Sequence, residues 1–347
     1  MPRIPLVVRL PNHLGDVCMA LPALEALAAA GYALHLAGRG WATELLAAYP
    51  WPVLALPTER GSRVRALRAL ARTLGPRCAA LLLTNSFSSA LEFRLAGLRA
   101  TGYARDGRSL LLAHAVPVPA AWYSALHTRE YYRQLAQEML SGRSGAPAIA
   151  EPAIAAPAIA APAKAVPADA AHSDPVHPGL RLDDQQHARA RAARAQAGLG
   201  PRYVVLCPVA VGRHQGQDKC WQGFGRLCTE LQTRGLDVGI CPGPGEREAA
   251  ARATPTARLI GPLDVGAFAA LLAGSALVVA NDSGPGHLAA AVGARLVGVF
   301  GVTDPAKTQP LGAQVRILGG LQGWPAYDAV LAAVGSALAD ASPAPAA

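Results

Sequence analysis

Short apolar runs of strand length alternate with helical patterns twice along this chain, and each alternation commits its half to a parallel sheet with crossover helices. In the first half the apolar runs fall at 4–10, 33–37, 53–56 and 79–83, with helical patterns at 17–30, 41–48, 63–74 and 127–140. The second half restarts the series, with runs at 203–207, 237–241, 276–280 and 295–300 and helical patterns at 222–234, 246–253, 286–292 and 326–339. Between the halves a pentapeptide repeats over residues 146–170, with Pro147, Pro152, Pro157, Pro162 and Pro167 evenly spaced. Proline at every fifth position forbids a stable helix and predicts an extended tether.

The expected fold is therefore α/β, with two Rossmann-like doubly wound domains whose strands point their carboxyl ends at a shared cleft. The boundaries read as an N-terminal Rossmann-like domain over 1–143, a Pro/Ala-rich linker over 144–180, a C-terminal Rossmann-like domain over 181–322, and a last helix with a disordered tail over 323–347. A chain of 347 residues exceeds the size at which single cores stop growing, which agrees with two domains. Hydrophobic residues make up 52% and charged residues 16%, so the bulk is globular.

The formal net charge of +9 favours acidic partners, a class that includes nucleic acid, anionic membrane surfaces and phosphorylated substrates. Six cysteines lie scattered with no C-x-x-C pair, which argues against a disulfide framework and a structural zinc site and points to a reducing cytoplasm. The apolar run Ile4 to Leu10 reads as a first strand, not as a secretory signal. The apolar stretch 265–281 contains Gly266 and Gly274 and reads as a helix followed by a buried strand, not as a membrane span.

Two common nucleotide signatures are missing. Residues 243–248, GPGERE, lack the third glycine of G-x-G-x-x-G, and no Gly-Lys dipeptide exists for a P-loop. Nor is there a D-x-D pair, so neither a metal nor a cofactor is implied. The richest local signal is Asn-Asp-Ser-Gly-Pro-Gly-His at 281–287, set between a buried strand and a helix. Such a turn aims backbone N–H groups and the positive end of a helix at an anion. Asp282, Ser283, Gly284 and His287 are candidates to hold a diphosphate; the same pattern also suits a capped helix with a packed histidine.

Asp16 ends the loop after the first strand, at the carboxyl edge of the sheet, where a general base or a plain N-cap would both fit. The loop after strand 203–207 carries Arg213, His214, Lys219 and Trp221, and a cation there could neutralise a departing phosphate. Glu246 opens a helix and suits either ribose hydroxyls or the helix dipole. Arg60, Arg63, Arg65, Arg68 and Arg72 crowd one loop and helix, with no Asp or Glu between Glu59 and Glu92. Arg60 and Arg63 are the candidates for an acidic acceptor; a solvated face is the alternative.

The stretch LGDVCMALPAL, the K-x-W of Lys219 and Trp221, GPGERE at 243–248 and NDSGPGHLAAAVGARLVGVFGVTDP at 281–305 together resemble glycosyltransferase family nine, the lipopolysaccharide heptosyltransferases. The resemblance implies the GT-B fold and metal-independent, inverting transfer of heptose from ADP-L-glycero-D-manno-heptose to Kdo or heptose of the inner core. It implies an acceptor-binding domain over 1–143 and a nucleotide-sugar-binding domain over 181–322, with Asp16 as base, Lys219 at the phosphates, Glu246 at the ribose, and Asp282, Ser283, Gly284 and His287 around the diphosphate and sugar. It also implies a cytoplasmic enzyme in peripheral contact with the inner membrane, with an acidic lipopolysaccharide acceptor and no nucleic acid partner. The pattern departs at Gly286, at Val302, which replaces a common proline, and in the loop VAVGRHQGQD before Lys219. Another nucleotide sugar or glycan acceptor, or a GT-B nucleotide-sugar epimerase, stays open as an alternative, as does a silent sugar-nucleotide binder.

Overall fold

A computed structural model describes residues 3–141 and 179–340. The proline repeat and the final tail expected from the sequence lie outside the described residues. The chain divides into two compact units, Met1–Ile149 and Ala150–Ala347.

The first unit runs β1 (Ile4–Arg9), α1 (Leu14–Ala29), β2 (Tyr32–Gly38), α2 (Trp41–Leu45), β3 (Val53–Ala55), α3 (Arg60–Leu74), β4 (Ala79–Leu82), α4 (Phe87–Leu95), β5 (Ala100–Tyr103), β6 (His114–Val116) and α5 (Thr128–Ser141). Its six strands lie in the order β3-β2-β1-β4-β5-β6 and every pairing is parallel. In β1 the consecutive residues Leu6, Val7 and Val8 are all fully buried, the mark of a strand covered on both faces. One face of the sheet packs Val7, Ala37, Ala80 and Leu82 against Leu67 of α3 and Phe93 of α4.

The second unit opens on α6 (Asp184–Gln196) and continues with β7 (Tyr203–Cys207), a hairpin of β8 (Arg213–His214) and β9 (Gln217–Asp218), α7 (Phe224–Thr233), β10 (Asp237–Ile240), α8 (Arg247–Ala253) and β11 (Arg258–Leu259). It ends with α9 (Val265–Ala273), β12 (Leu277–Asn281), α10 (Gly284–Ala291), β13 (Leu296–Phe300), α11 (Pro305–Thr308), β14 (Val315–Gly319) and α12 (Tyr327–Ala339). The order β11-β10-β7-β12-β13-β14, again all parallel, repeats the winding of the first sheet strand for strand. The apolar stretch 265–281 divides into helix α9 and strand β12 as its glycines predict. Helix α12 buries Val330, Ala333, Val334 and Leu338 against this second core, together with Phe224 and Leu227 of α7.

Several elements escape the sequence pattern. β5, β6, β11 and β14 have two to five residues each and lie at or beside the sheet edges, where pairing with a longer neighbour imposes the extended backbone that their own composition does not demand. Helix α6 has little apolar periodicity. Its start is fixed by a capping box, in which the Asp183 side chain accepts from Gln186 N at 2.7 Å and the Gln186 side chain accepts from Asp183 N at 2.8 Å.

In both sheets the first strand of the unit lies beside the fourth parallel strand, and the crossovers from these two strands leave toward opposite edges. The loops after β1 and β4, and those after β7 and β12, therefore diverge and leave a crevice at the carboxyl ends, where α/β sheets bind ligands. Leu227, fully buried in the second core, is expected to cost about 2–5 kcal/mol when changed to Ala, against about 1 kcal/mol for Asp183→Ala at the α6 cap. Urea denaturation of the two variants checks the ranking.

Candidate functional site

In the second unit the sequence candidates converge at the β7/β12 crevice. Asn281 is the last residue of β12 and is fully buried; its Oδ1 accepts from Trp221 N at 2.9 Å and its Nδ2 donates to Pro208 O at 2.7 Å. One amide thus ties both ends of the long loop after β7 to the end of β12. Trp221 wedges that loop into the core, edge-on to Phe224 at 5.4 Å between ring centroids and stacked on Tyr327 at 6.1 Å. With the loop so anchored, Lys219 Nζ sits 3.2 Å from Asp282 Oδ2, both side chains being largely buried. Arg213 and His214 lie on the hairpin, Arg213 exposed.

Asp282 does not cap the helix that follows. Ser283 takes the N-cap position of α10 without a side-chain capping bond, and its hydroxyl turns back to donate to Asn281 O at 3.1 Å. With no capping bond from Ser283, the start of α10 at Gly284 presents the positive end of the helix next to the Lys219–Asp282 pair. His287 is buried in that turn, at 7% exposure. Glu246, at the N-cap of α8, folds its carboxylate back to accept from Gly243 N at 2.9 Å. It shares a small pocket with Pro208, Cys241 and Pro285, which brings it beside the start of α10. Lys219 and Asp282 thus meet just after β12, next to the start of α10 with Ser283, Gly284 and His287, while Glu246 reaches that helix through Pro285. The crevice can take an anion flanked by hydroxyl-bearing groups.

In the first unit Asp16 occupies the first turn of α1, two residues inside its start, while His13 is the N-cap residue and makes no side-chain capping bond. Asp16 is therefore not the cap of its helix. The Tyr132 hydroxyl of α5 donates to its carboxylate, and His13 lies near enough to favour its charge. Burial outweighs both and holds the Asp16 carboxyl above the ordinary aspartate range. A half-buried carboxylate with raised proton affinity at the edge of a sheet is suited to accept a proton.

Arg63 is not a solvated side chain. Its Nε and Nη2 donate to Glu92 Oε1 at 3.0 and 2.7 Å, and Glu92 is buried on α4. Arg60 stands 3.9 Å from the same oxygen and is 62% exposed. Arg9, at the end of β1, is pushed down to about 10, chiefly by burial and further by Arg63 and Arg39, with Glu92 opposing. A cluster of arginines thus surrounds one carboxylate at the carboxyl edge of this sheet. The absence of acidic residues between Glu59 and Glu92 conceals this pairing, because Glu92 returns from the next helix.

Sequence reasoning missed Asn281 as the clamp and Tyr132 as the partner of Asp16. Asn281 stands directly before the Asp-Ser-Gly turn and was within reach, since a buried strand that ends on a carboxamide needs both its donor and its acceptor met. Tyr132 lies 116 positions from Asp16 and carries no local signal. Among the described residues no group of three His, Cys, Asp or Glu side chains could hold a metal ion. Asn281→Asp keeps the shape but sets a carboxylate oxygen against Pro208 O, so it is expected to lower stability by about 1–3 kcal/mol. Thermal denaturation of the variant and of Asn281→Ala measures the loss.

The sequence model of glycosyltransferase family 9 (heptosyltransferase) matches residues 67–330. The chain is similar to lipopolysaccharide heptosyltransferase 3 of Escherichia coli, with 32% identity over 126 residues that make up 33% of this chain and 36% of that protein. It spans about a third of that relative's length. Among solved structures it resembles the E. coli ADP-heptose lps heptosyltransferase II, with a TM-score of 0.70, 22% identity and coverage of 96% of this chain and 98% of that one. It also resembles the E. coli heptosyltransferase WaaC with ADP, with a TM-score of 0.67, 19% identity and coverage of 96% and 99%. These likenesses carry the GT-B fold expected from the sequence, two doubly wound parallel sheets each with its own helices. With the family model spanning most of the chain and the fold in agreement, the protein belongs to glycosyltransferase family 9, the heptosyltransferases.

Proposed function

We propose that this chain is an inverting glycosyltransferase that moves heptose from ADP-L-glycero-D-manno-heptose to a hydroxyl of the lipopolysaccharide inner core. The observation that carries the reading is the Lys219–Asp282 pair at 3.2 Å, set beside a helix start that no side chain caps. A pyrophosphate placed there meets a cation and the positive end of a helix, which is what a departing ADP requires. Glu246 is suited to the ribose hydroxyls, and Ser283, Gly284 and His287 to the diphosphate and sugar. Heptosyltransferase WaaC, whose fold this chain shares, has been solved with ADP.

In this scheme Asp16 takes the proton of the acceptor hydroxyl as that oxygen bonds to the anomeric carbon. The bond from that carbon to the β-phosphate oxygen breaks, and Lys219 with the α10 start takes up the charge of the leaving ADP. Attack from the face opposite the leaving group inverts the anomeric centre. No step needs a metal. The acceptor is acidic lipopolysaccharide core, met at the cytoplasmic face of the inner membrane; no helix among the described residues is long and apolar enough to cross a membrane.

Asp16→Asn is expected to lower kcat by roughly a hundredfold or more, the scale of a lost general base, with ADP affinity unchanged in calorimetry. The base works only when ionised, so kcat/KM falls as pH drops through the Asp16 pKa, which burial holds above the usual value. The Tyr132 hydrogen bond favours the ionised form. Tyr132→Phe should therefore move this acid limb to higher pH. A limb that stays in place, or moves down, would take Asp16 out of the base role.

For the acceptor the structure separates the two arginines. Arg60 is 62% exposed and only at the limit of an ion pair with Glu92, and its reversal to Glu should raise the acceptor KM, leave donor KM alone and weaken the salt dependence of acceptor binding. Arg63→Glu leaves the buried Glu92 facing a like charge, so it should destabilise the protein by on the order of 3 kcal/mol or more. Steady-state kinetics over a salt series, run beside thermal melts, tells the two apart.

A further inference from the structure

A cavity of about 580 Å³ opens on the second unit, apart from the residues of the proposed donor site. Its walls come from the β8–β9 hairpin, the segment after β13 and the turn before α12, and they include Gln217, Asp218, Gln222, Val302, Gln322 and Trp324. Its size lies within the roughly 300–1,000 Å³ of small-molecule sites. The proposed mechanism uses none of these side chains.

The walls are built, not incidental. The indole of Trp324 packs directly on the Gly301 backbone, where a Cβ would fall 2.1 Å from the ring, and the side chain is partly buried against the core of the unit. The turn that precedes it is closed by Gly320 N to Gly323 O at 3.3 Å and Gly323 N to Gly320 O at 3.0 Å. Across the cavity Gln215 and Gly216 both have positive φ, 49° and 78°, the backbone of a two-residue hairpin turn that fixes Gln217 and Asp218. Two of these walls, the hairpin loop and Val302, are where the sequence departs from its family pattern.

The lining chemistry selects a ligand. Three carboxamides each offer both a donor and an acceptor, and Asp218 adds acceptors, a set that matches the vicinal hydroxyls of a sugar. The fixed, part-exposed indole of Trp324 adds apolar aromatic surface to the lining, of the kind that the C–H side of a pyranose packs against. The one charged residue of the lining is an acid, which disfavours phosphate or carboxylate. Asp218 and Cys220 flank Lys219, so the cavity adjoins the proposed donor site through a single loop.

We propose that this cavity is a saccharide subsite that holds a neutral pyranose ring of the acceptor glycan. That the ring belongs to the acceptor rests on the transferase reading above; that the cavity binds a sugar does not.

Saturation-transfer NMR on the full chain with excess ADP, probed with methyl α-D-glucopyranoside and methyl L-glycero-α-D-manno-heptopyranoside, tests the assignment. At least one glycoside should bind with a Kd on the order of millimolar, and binding should weaken at least tenfold in Trp324→Ala. Gln322→Ala, at an exposed turn tip with no core contact at stake, should weaken it severalfold if the tryptophan variant fails to fold. Asp282→Ala should leave it intact. No transfer to either glycoside, or transfer lost in Asp282→Ala but kept in both cavity variants, overturns the proposal. Failure of the wild type to bind ADP, with glycoside binding intact, would sink the donor-site reading and leave the saccharide subsite standing.

Discussion

The parallel pairing of β7 with β12 is the constraint on which the proposed donor site depends. Both strands are buried along their whole length, so their register, Leu277 beside Val204 through Ala280 beside Cys207, is held by close packing on two faces. Because the crossovers from these strands run to opposite edges, their loops part at the carboxyl ends. The same divergence follows β1 and β4 in the first unit. Asn281 then converts strand register into loop position, since one buried amide holds Trp221 N and Pro208 O at once. Lys219 lies two residues from that anchor. Its approach to Asp282 is thus a consequence of backbone pairing deep in the sheet.

Three carboxylates at the sheet edges, Asp282, Glu92 and Asp16, differ in what faces them, and the difference sorts their chemistry. Asp282 meets an ammonium at 3.2 Å and Glu92 a guanidinium at 2.7 Å. Asp16 faces the phenol of Tyr132 and the ring of His13, and burial prevails over both. Asp282 and Glu92 are each engaged in an ion pair, which occupies the oxygens a base would use. Asp16 keeps its basicity. The Lys219–Asp282 pair serves otherwise, since it keeps a cation in place before any anion arrives.

Much of this was legible in the residues. The apolar runs of β1, β7, β12 and β13 are long enough to specify buried parallel strands, and the Asn-Asp-Ser-Gly-Pro-Gly-His turn marks its own crevice by standing between a buried strand and a helix. Asp16 was legible by place, at the end of the first strand. Arg63 misled, because local charge counting cannot see Glu92 return from α4 to meet it. The edge strands β5, β6, β11 and β14 were silent for a related reason: their extended backbone comes from a paired neighbour.

By itself, the sequence determined two doubly wound units, the identity of the chemical groups at their loops and the family to which they belong, because strand-length apolar runs, glycine turns and motif order are local properties. Tertiary structure alone decided which groups meet. Tyr132 reaches Asp16 because α5 packs on α1, Asn281 reaches Trp221 because β12 lies beside β7, and Trp324 lies over Gly301 because β14 pairs with β13. These contacts join residues far apart in the chain, and they exist only once the sheets have set the distance between their strands.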